Sequence, residues 1–418
     1  MHINLVGVNH RAAPVAVREK VAVSPGMLCD SLSLLRSYVP QGVILSTCNR
    51  TEIYTVETDS HHVHAAGLNF LRTRLDIPDT ELPKYVYFSE DKRVVEHLFR
   101  VAAGLDSMVV GEYEVLGQVR HALEAAEKAG MVNLPLRHIF QSAVRIGRRV
   151  RHETEISKNA LSVSSVAIDL AARVVGDLRN CEVLVIGTGE AGKLAVKVAK
   201  KRGVSKVVIA SRTKERARAL ATTLGGIPID LNNIADKLGT ANIVITCAGS
   251  PHHILGFSEV NEAMEGRAKL PLVIIDIAIP RNVESNVGEI DNVALYNIDD
   301  LIQISGLNRE QREGEVHKAE KIIAIEMDKF TSWWRAFDVM PVINALTSKA
   351  EEIRSSQLDK TLKKLRSLSD EERESLEAMT RSIVTKILKD PVRYLKENGD
   401  GNYTEVVKEL FQLTEECP

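Results

Sequence analysis

Cysteine, uninterrupted apolar runs and an excess of charge of either sign are all scarce in this chain, and each scarcity excludes something. Five cysteines (Cys29, Cys48, Cys181, Cys247 and Cys417) are scattered over 418 residues, odd in number and without a CxxC pair. That spacing argues against a disulfide framework and against a structural zinc site, and it points to a reducing, cytoplasmic setting. No apolar stretch approaches the roughly 18 to 20 residues a bilayer crossing needs, and the opening MHINLVGVNHRAAP has no long apolar signal core. A protein that neither spans a membrane nor is secreted is expected. Lys and Arg number 54 against 56 Asp and Glu, a formal net charge of −2. A globally basic nucleic-acid binder is thereby excluded, no DNA partner is expected, and any RNA contact must be a local patch.

What is present is enough apolar mass, 44% of residues, for two or three packed domains. Three textures follow one another. Over residues 1–155, β-like runs (Ile3 to Val8, Val43 to Ser46, Ile53 to Glu57, Lys84 to Phe88) alternate with helical stretches such as Val94 to Ala103 and Val115 to Lys128, which reads as α+β. Over 156–305, buried-strand runs recur at Val183 to Ile186, Val207 to Ala210, Ile243 to Thr246, Val273 to Asp276 and Ala294 to Tyr296, and βα alternation predicts a Rossmann-type, doubly wound parallel sheet. Over 306–418 only helical patterning remains. The pattern predicts a helix from Asn308 to Phe337, about 45 Å long at 1.5 Å per residue, broken before Pro341 because proline removes a donor and restricts its predecessor. The helices beyond it are amphipathic with little of their own chain to pack on, so a homodimer through the C-terminus is expected, against the alternative of a bundle closed within one chain.

Two segments carry chemistry. The run Cys181-Glu-Val-Leu-Val-Ile, then Gly187-Thr-Gly189-Glu190-Ala191-Gly192, then Lys193-Leu-Ala-Val is strand, GxGxxG and helix in the order a dinucleotide site requires. Gly187 permits the tight turn, Gly189 lets a pyrophosphate approach, and Gly192 lets helix and strand pack closely. The next strand ends in Ser211-Arg212-Thr213-Lys214 rather than in the acid that grips a ribose 2′-hydroxyl. These donors suit a 2′-phosphate, so NADPH is favoured over NADH. Thr246-Cys-Ala248-Gly249-Ser-Pro and Asp276-Ile-Ala-Ile-Pro-Arg281 follow later strands, at the sheet end where such folds bind ligands. Cys247 is read there as packing, and Asp276 equally as a turn or cap residue.

The second segment is Ser46-Thr47-Cys48-Asn49-Arg50-Thr-Glu-Ile-Tyr54, a cysteine where an apolar strand meets a polar loop. Spacing alone leaves Cys48 open between a reactive thiolate and a small buried hydrophobe, and Arg50 open between steadying that thiolate and binding a substrate carboxylate. His97 falls at the edge of the apolar stripe Val94, Leu98, Val101, Leu105, where it is either an ordinary half-exposed histidine or a general acid. Arg137, Arg145, Arg148, Arg149 and Arg151 lie in one acid-free stretch that suits either an RNA backbone or a solvated helix face. The tract His61-His62-Val63-His64 fixes no ligand geometry and is read as a polar surface turn, with no metal expected.

Taken together these stretches resemble the glutamyl-tRNA reductase family along the whole chain. The likeness rests on Gly7-Val-Asn-His10 with Arg18-Glu-Lys20, the Cys48 segment, His97-Leu-Phe, Gly104-Leu-Asp-Ser107, Gly111-Glu112, Leu116-Gly-Gln118-Val-Arg120, the Gly187 loop, Asp276 to Arg281, and the tryptophan-bearing helix before Pro341. The resemblance implies a catalytic domain over 1–155, an NADPH domain over 156–305, and a linking helix with a dimerisation domain over 306–418. It implies that Cys48 attacks the aminoacyl ester of glutamyl-tRNA, that NADPH reduces the resulting thioester, and that glutamate-1-semialdehyde leaves for tetrapyrrole synthesis. By the same resemblance Thr47, Asn49, Arg50 and Ser107 line the glutamate pocket, Glu112 and Gln118 support it, His97 assists acyl transfer, and glutamate-1-semialdehyde aminomutase is a candidate partner. Two rivals of other classes are a tRNA-binding regulator without turnover, in which Cys48 is silent, and an NADP-dependent dehydrogenase of a small keto or hydroxy acid.

Overall fold

The computed structural model describes residues 2–57, 64–75, 77–78, 80–157, 162–267, 270–305, 313–365, 368–398 and 401–413. The histidine tract at 61–63 and the predicted start of the long helix at Asn308 lie outside them. Two compact units are present, residues 1–323 and 324–418.

The first unit opens with a four-stranded antiparallel sheet of order β2-β3-β1-β4: β1 (His2–Asn9), β2 (Gly42–Ser46), β3 (Arg50–Glu57) and β4 (Tyr87–Glu90). Around it lie α1 (Val15–Val21), α2 (Leu28–Arg36), α3 (Ala65–Arg72), α4 (Lys92–Ala102), α5 (Glu114–Lys128) and α6 (Leu134–Glu153). Strand periodicity puts Arg50, Glu52 and Tyr54 on one face of β3, and Phe140 of α6 meets the Tyr54 ring edge-on at 5.2 Å. The strand expected at Lys84 to Phe88 is displaced: Leu82–Lys84 forms a 3₁₀ turn and β4 begins at Tyr87. Pro83, without an N–H to give a ladder, suits the first turn of that helix better than a strand. β3 starts at Arg50, earlier than expected, because the polar residues Arg50 and Glu52 find buried partners there.

After α7 (Val163–Val175) come β5 (Glu182–Ile186), α8 (Glu190–Lys201), β6 (Lys206–Ser211), α9 (Lys214–Leu224), β7 (Ile227–Asp230), α10 (Ile234–Leu238), β8 (Ile243–Thr246), α11 (Phe257–Glu265), β9 (Leu272–Asp276), β10 (Val293–Asn297) and α12 (Ile298–Ser305). The sheet is parallel throughout, in the order β10-β9-β8-β5-β6-β7. Val183 and Val185 pack towards α7, α8 and α9 while Leu184 and Ile186 pack towards α10 and α11, so both faces are covered and the strands read as unbroken apolar runs. β7 escaped the sequence reading because it is an edge strand carrying Pro228, with Ile227 exposed. Val109, from the segment before α5, belongs to the core on the α7 side of this sheet.

From Glu313 to Lys364 runs one helix of 52 residues with Pro341 inside it. The expected break at that proline does not occur. Val339, Val342 and Ile343 flank it and are buried with Leu395 in a common core, and that apolar burial offsets the missing hydrogen bond. Helices Asp370–Asn398 and Gly401–Leu410 complete the second unit. No described helix is long and apolar enough to cross a membrane.

Candidate active site and dinucleotide site

Cys48 sits at the tip of the hairpin joining β2 to β3. The Thr47 N–H donates to the Arg50 carbonyl at 2.8 Å, and the Thr47 hydroxyl accepts from the N–H groups of Asn49 and Arg50 at 3.1 and 3.2 Å. These bonds hold the turn whose apex is the half-buried Cys48. Burial, then the Glu112 and Glu114 carboxylates, push its thiol up, with Arg18 pulling the other way. The candidate thiolate partner Arg50 has other occupations. It is buried, donating to Glu52 Oε1 at 2.9 Å and to the Asp106 carbonyl at 2.5 Å, with His97 Nε2 at 3.4 Å.

His97 is held between two carboxylates, Nε2 to Glu52 Oε1 at 2.8 Å and Nδ1 to Asp106 Oδ2 at 3.4 Å. Burial alone would lower it, but Glu52 and Asp106 outweigh burial and raise it to about 9, so at neutral pH it is an imidazolium donating from both nitrogens. Glu52, fully buried, accepts from Arg50, His97, Tyr54 at 2.5 Å, and Tyr87. Burial would raise its carboxyl, yet His97 and Arg50 hold it well below the usual range. A Cβ on Gly7 would stand 2.8 Å from the Tyr87 ring, so a glycine opposite Glu52 in the β1–β3 register lets that tyrosine in.

The other expected site residues gather from neighbouring segments. Ser107 and Glu112 are buried, and Glu112 is raised by burial, partly offset by a hydrogen bond from Ser107. Glu114 is raised to about 7 by burial, then by Glu112 and Glu190. Since Glu190 opens α8, the electrostatics of the cysteine site and of the glycine loop meet at Glu114. Gln118 is half-buried on α5.

At the glycine loop, Gly187 has φ +127°, and its Cβ would fall 2.9 Å from Cys247. A Cβ on Gly192 would meet the Gly187 carbonyl at 2.2 Å, whereas Gly189 faces open space at the N-terminus of α8. A loop closed on the protein side and open on the other is what an incoming pyrophosphate needs. Ser211 Oγ lies 3.5 Å from the Thr188 hydroxyl and accepts from the Thr213 N–H, joining the β6 terminus to this loop. Arg212 and Thr213 are exposed, Lys214 pairs with Asp230 at 3.2 Å, and Glu190 pairs with Lys193 at 2.6 Å. The Ala248 N–H donates to Asn282 and Gly249 is exposed. Cys247 packs against the loop with its thiol pushed up to about 12 by burial, then by Asp276 and Glu114. Asp276 proves to be a cap: it accepts from Thr246 and from the N–H groups of Ala278, Asn282 and Val283.

Three family models match in succession: the glutamyl-tRNA(Glu) reductase N-terminal domain at residues 6–154, shikimate/quinate 5-dehydrogenase at 169–304, and the glutamyl-tRNA(Glu) reductase dimerisation domain at 318–413. The chain is 39% identical over 427 residues to the glutamyl-tRNA reductase of Natranaerobius thermophilus, covering 100% of this chain and 93% of that protein. With that of Moorella thermoacetica it shares 40% identity over 99% of this chain and 95% of the other. The chain belongs to the glutamyl-tRNA reductase family. The solved glutamyl-tRNA reductase of Methanopyrus kandleri is similar over 98% of both chains, with 32% identity and a TM-score of 0.53. Like other glutamyl-tRNA reductases this chain is an oxidoreductase, with a nucleotide-binding domain of dehydrogenase type and a dimerisation domain.

Several residues around the cysteine of this reductase had no assigned role from sequence. Glu52 and Asp106 are the anions that charge His97, and the readable signal was the alternation of Arg50, Glu52 and Tyr54 in a strand too apolar to be exposed. Arg18, 3% exposed, donates to the Cys48 carbonyl at 2.8 Å. His10 is lowered to about 4 by burial, then by Arg50, Arg11 and Arg18, and its N–H donates to the Asn49 carbonyl at 3.0 Å. His10 Nδ1 and Asn49 Oδ1 are buried without a hydrogen-bond partner among the described residues. The arginine stretch largely ties α6 to its neighbours and to itself. Arg137 pairs with Glu127 and Arg149 with Glu153, while Arg151 donates to the carbonyls of Ala102, Gly147 and Glu112. Arg137, Arg145 and Arg148 are exposed, and Arg145 also donates to the Ser142 hydroxyl at 3.2 Å.

Proposed function

We propose that this reductase converts glutamyl-tRNA(Glu) to glutamate-1-semialdehyde through a thioester on Cys48, as the first step of C5-route tetrapyrrole synthesis. The observation that carries the reading is the placing of a half-buried cysteine at a pinned hairpin tip, with a charged histidine held by two carboxylates in the same domain. Cys48 Sγ attacks the ester carbonyl, the S–C bond forms and the C–O bond to the ribose breaks. The thiol proton passes to a carboxylate, for which Glu114 at about 7 is matched at neutral pH, and the departing ribose oxygen takes a proton from the His97 imidazolium. Thr47, Asn49, Ser107, Glu112 and Gln118 shape the pocket, and Arg50 takes the substrate side-chain carboxylate while sharing its donors with Glu52. The open face at Gly189 and the Ser211-Arg212-Thr213 turn fit a dinucleotide bearing a 2′-phosphate. NADPH, when bound there, supplies the hydride that turns the thioester into the aldehyde and frees the thiol.

A homodimer is part of this reading. Ile353, Met379, Ile383 and Ile387 line an apolar groove of about 540 Å³ in the second unit and are all about half exposed or more, and the matched model there is a dimerisation domain. Exposed Arg145 and Arg148 are the candidates for a phosphate contact with the tRNA. The setting is proposed to be cytoplasmic, and an aminomutase that consumes the aldehyde is proposed as a partner.

The test is acid-quenched mass spectrometry after mixing with glutamyl-tRNA in the absence of NADPH. A glutamyl adduct on the Cys48 peptide, discharged as aldehyde when NADPH is added, is expected. An unmodified Cys48 with bound tRNA would end the covalent reading.

A further inference from the structure

Helix α1 carries two neighbouring charges that reach out of the N-terminal sheet to the dinucleotide-binding sheet. Arg18 is buried and forked: Nη1 donates to the Cys48 carbonyl at 2.8 Å, and Nη2 donates to Oδ1 of Asp299 in α12. The other Asp299 oxygen accepts from the Val15 N–H at 3.0 Å, where α1 begins. One residue on, Glu19 takes Arg281 in two-pronged fashion, Nε to Oε2 at 2.9 Å and Nη2 to Oε1 at 2.7 Å, and also accepts the Arg281 N–H at 3.3 Å. Arg281 follows β9 on the segment whose backbone Asp276 pins at Ala278, Asn282 and Val283. The Arg281 contact therefore grips a segment pinned to the end of β9, and the Asp299 contact grips the first turn of α12.

A buried guanidinium needs a counter-charge, and for Arg18 the paired carboxylate comes from the other sheet's domain. Its Nε is buried without a partner among the described residues, so the group is not placed for maximal hydrogen bonding. What the placement achieves is a single planar fork spanning the backbone of the nucleophile and the start of α12, a geometry a flexible ammonium would not hold. Withdrawing the dinucleotide-binding domain would leave Arg18 a buried, unpaired charge attached to the Cys48 turn.

We infer that Arg18 is a positioning residue that ties the Cys48 turn to the docking of the dinucleotide-binding domain, with Glu19 and Arg281 as the latch of the docked state. The inference rests on the thioester reading above, in which acyl transfer needs the N-terminal domain and reduction needs both. The Glu19–Arg281 latch thus bears on the second step, while the Arg18 fork also holds the turn used in the first.

Glu19→Arg and Arg281→Glu are each expected to form thioester at the wild-type rate without NADPH, yet to discharge it about tenfold or more slowly when NADPH is added. The double exchange, Glu19→Arg with Arg281→Glu, is expected to restore discharge, because the pair is remade with its signs swapped. Backbone amide exchange supplies a readout free of chemistry. Asp299→Asn is expected to speed exchange at Thr47 to Arg50, although Asp299 belongs to the other domain. Unchanged discharge in both single variants, a double exchange that discharges no faster than they do, or wild-type exchange at the turn in Asp299→Asn would each overturn the coupling. If wild-type protein forms no thioester, the reaction reading fails by itself, and the amide exchange still judges the coupling.

Discussion

A fully buried glutamate with four donors around it decides the chemistry of its neighbours. Glu52 keeps His97 charged and Arg50 fixed. Glu52→Gln is therefore expected to destabilise the protein by about 3 to 5 kcal/mol, the usual cost of stripping one partner from a buried charge group. The sign of its pH dependence follows from His97, which is raised from 6.5 to about 9. A raised group contributes stability that is complete below its unfolded pKa and is lost as pH rises through its folded one. Urea unfolding of the wild type should lose this contribution between about pH 6.5 and 9. In Glu52→Gln the falling limb should shift to lower pH, and a wild-type profile in that variant would mean that Glu52 does not charge His97. Cys48, Arg50 and His97 could each be named as candidates from their neighbours in the chain. Their relations could not, because Arg50 is two residues from Glu52 but 47 from His97.

At the scale of elements, the strand-loop-helix order around Gly187 was readable because Gly187 and Gly192 answer steric demands of the loop. Gly192 cannot carry a Cβ with the Gly187 carbonyl at 2.2 Å. The β6 turn is equally local, and Arg212→Glu is expected to weaken NADPH binding far more than NADH binding, measured by fluorescence titration of both. Equal losses would remove the 2′-phosphate assignment. Elements that depend on distant partners were misread. The 52-residue helix passes through Pro341 because Leu395 and its neighbours bury the flanking valines and isoleucine, and propensity yields where packing is strong. β7 went unseen because an edge strand with a proline has little local signature.

At the scale of the whole molecule, the apolar stripe along Met379, Ile383 and Ile387 follows helical spacing and is left half exposed or more. Ile383→Asp combined with Ile387→Asp is expected to give a monomer by light scattering with its helical content retained, and a persistent dimer would move the interface elsewhere. Point changes suit this test better than truncation near Phe337, which would cut inside the continuous helix.

The chain by itself determined what local chemistry controls: the alternation of strands and helices, the glycine loop, the turn at Cys48 and the family motifs. Backbone sterics and hydrophobic period act over a few residues, so they can be read in order along the sequence. Only the tertiary structure decided the charge on His97, the reach of Arg18 from Cys48 to Asp299, and the passage of a helix through proline. Those depend on burial and on charges brought together from far apart in the chain, and desolvation and Coulomb attraction act on distance in space.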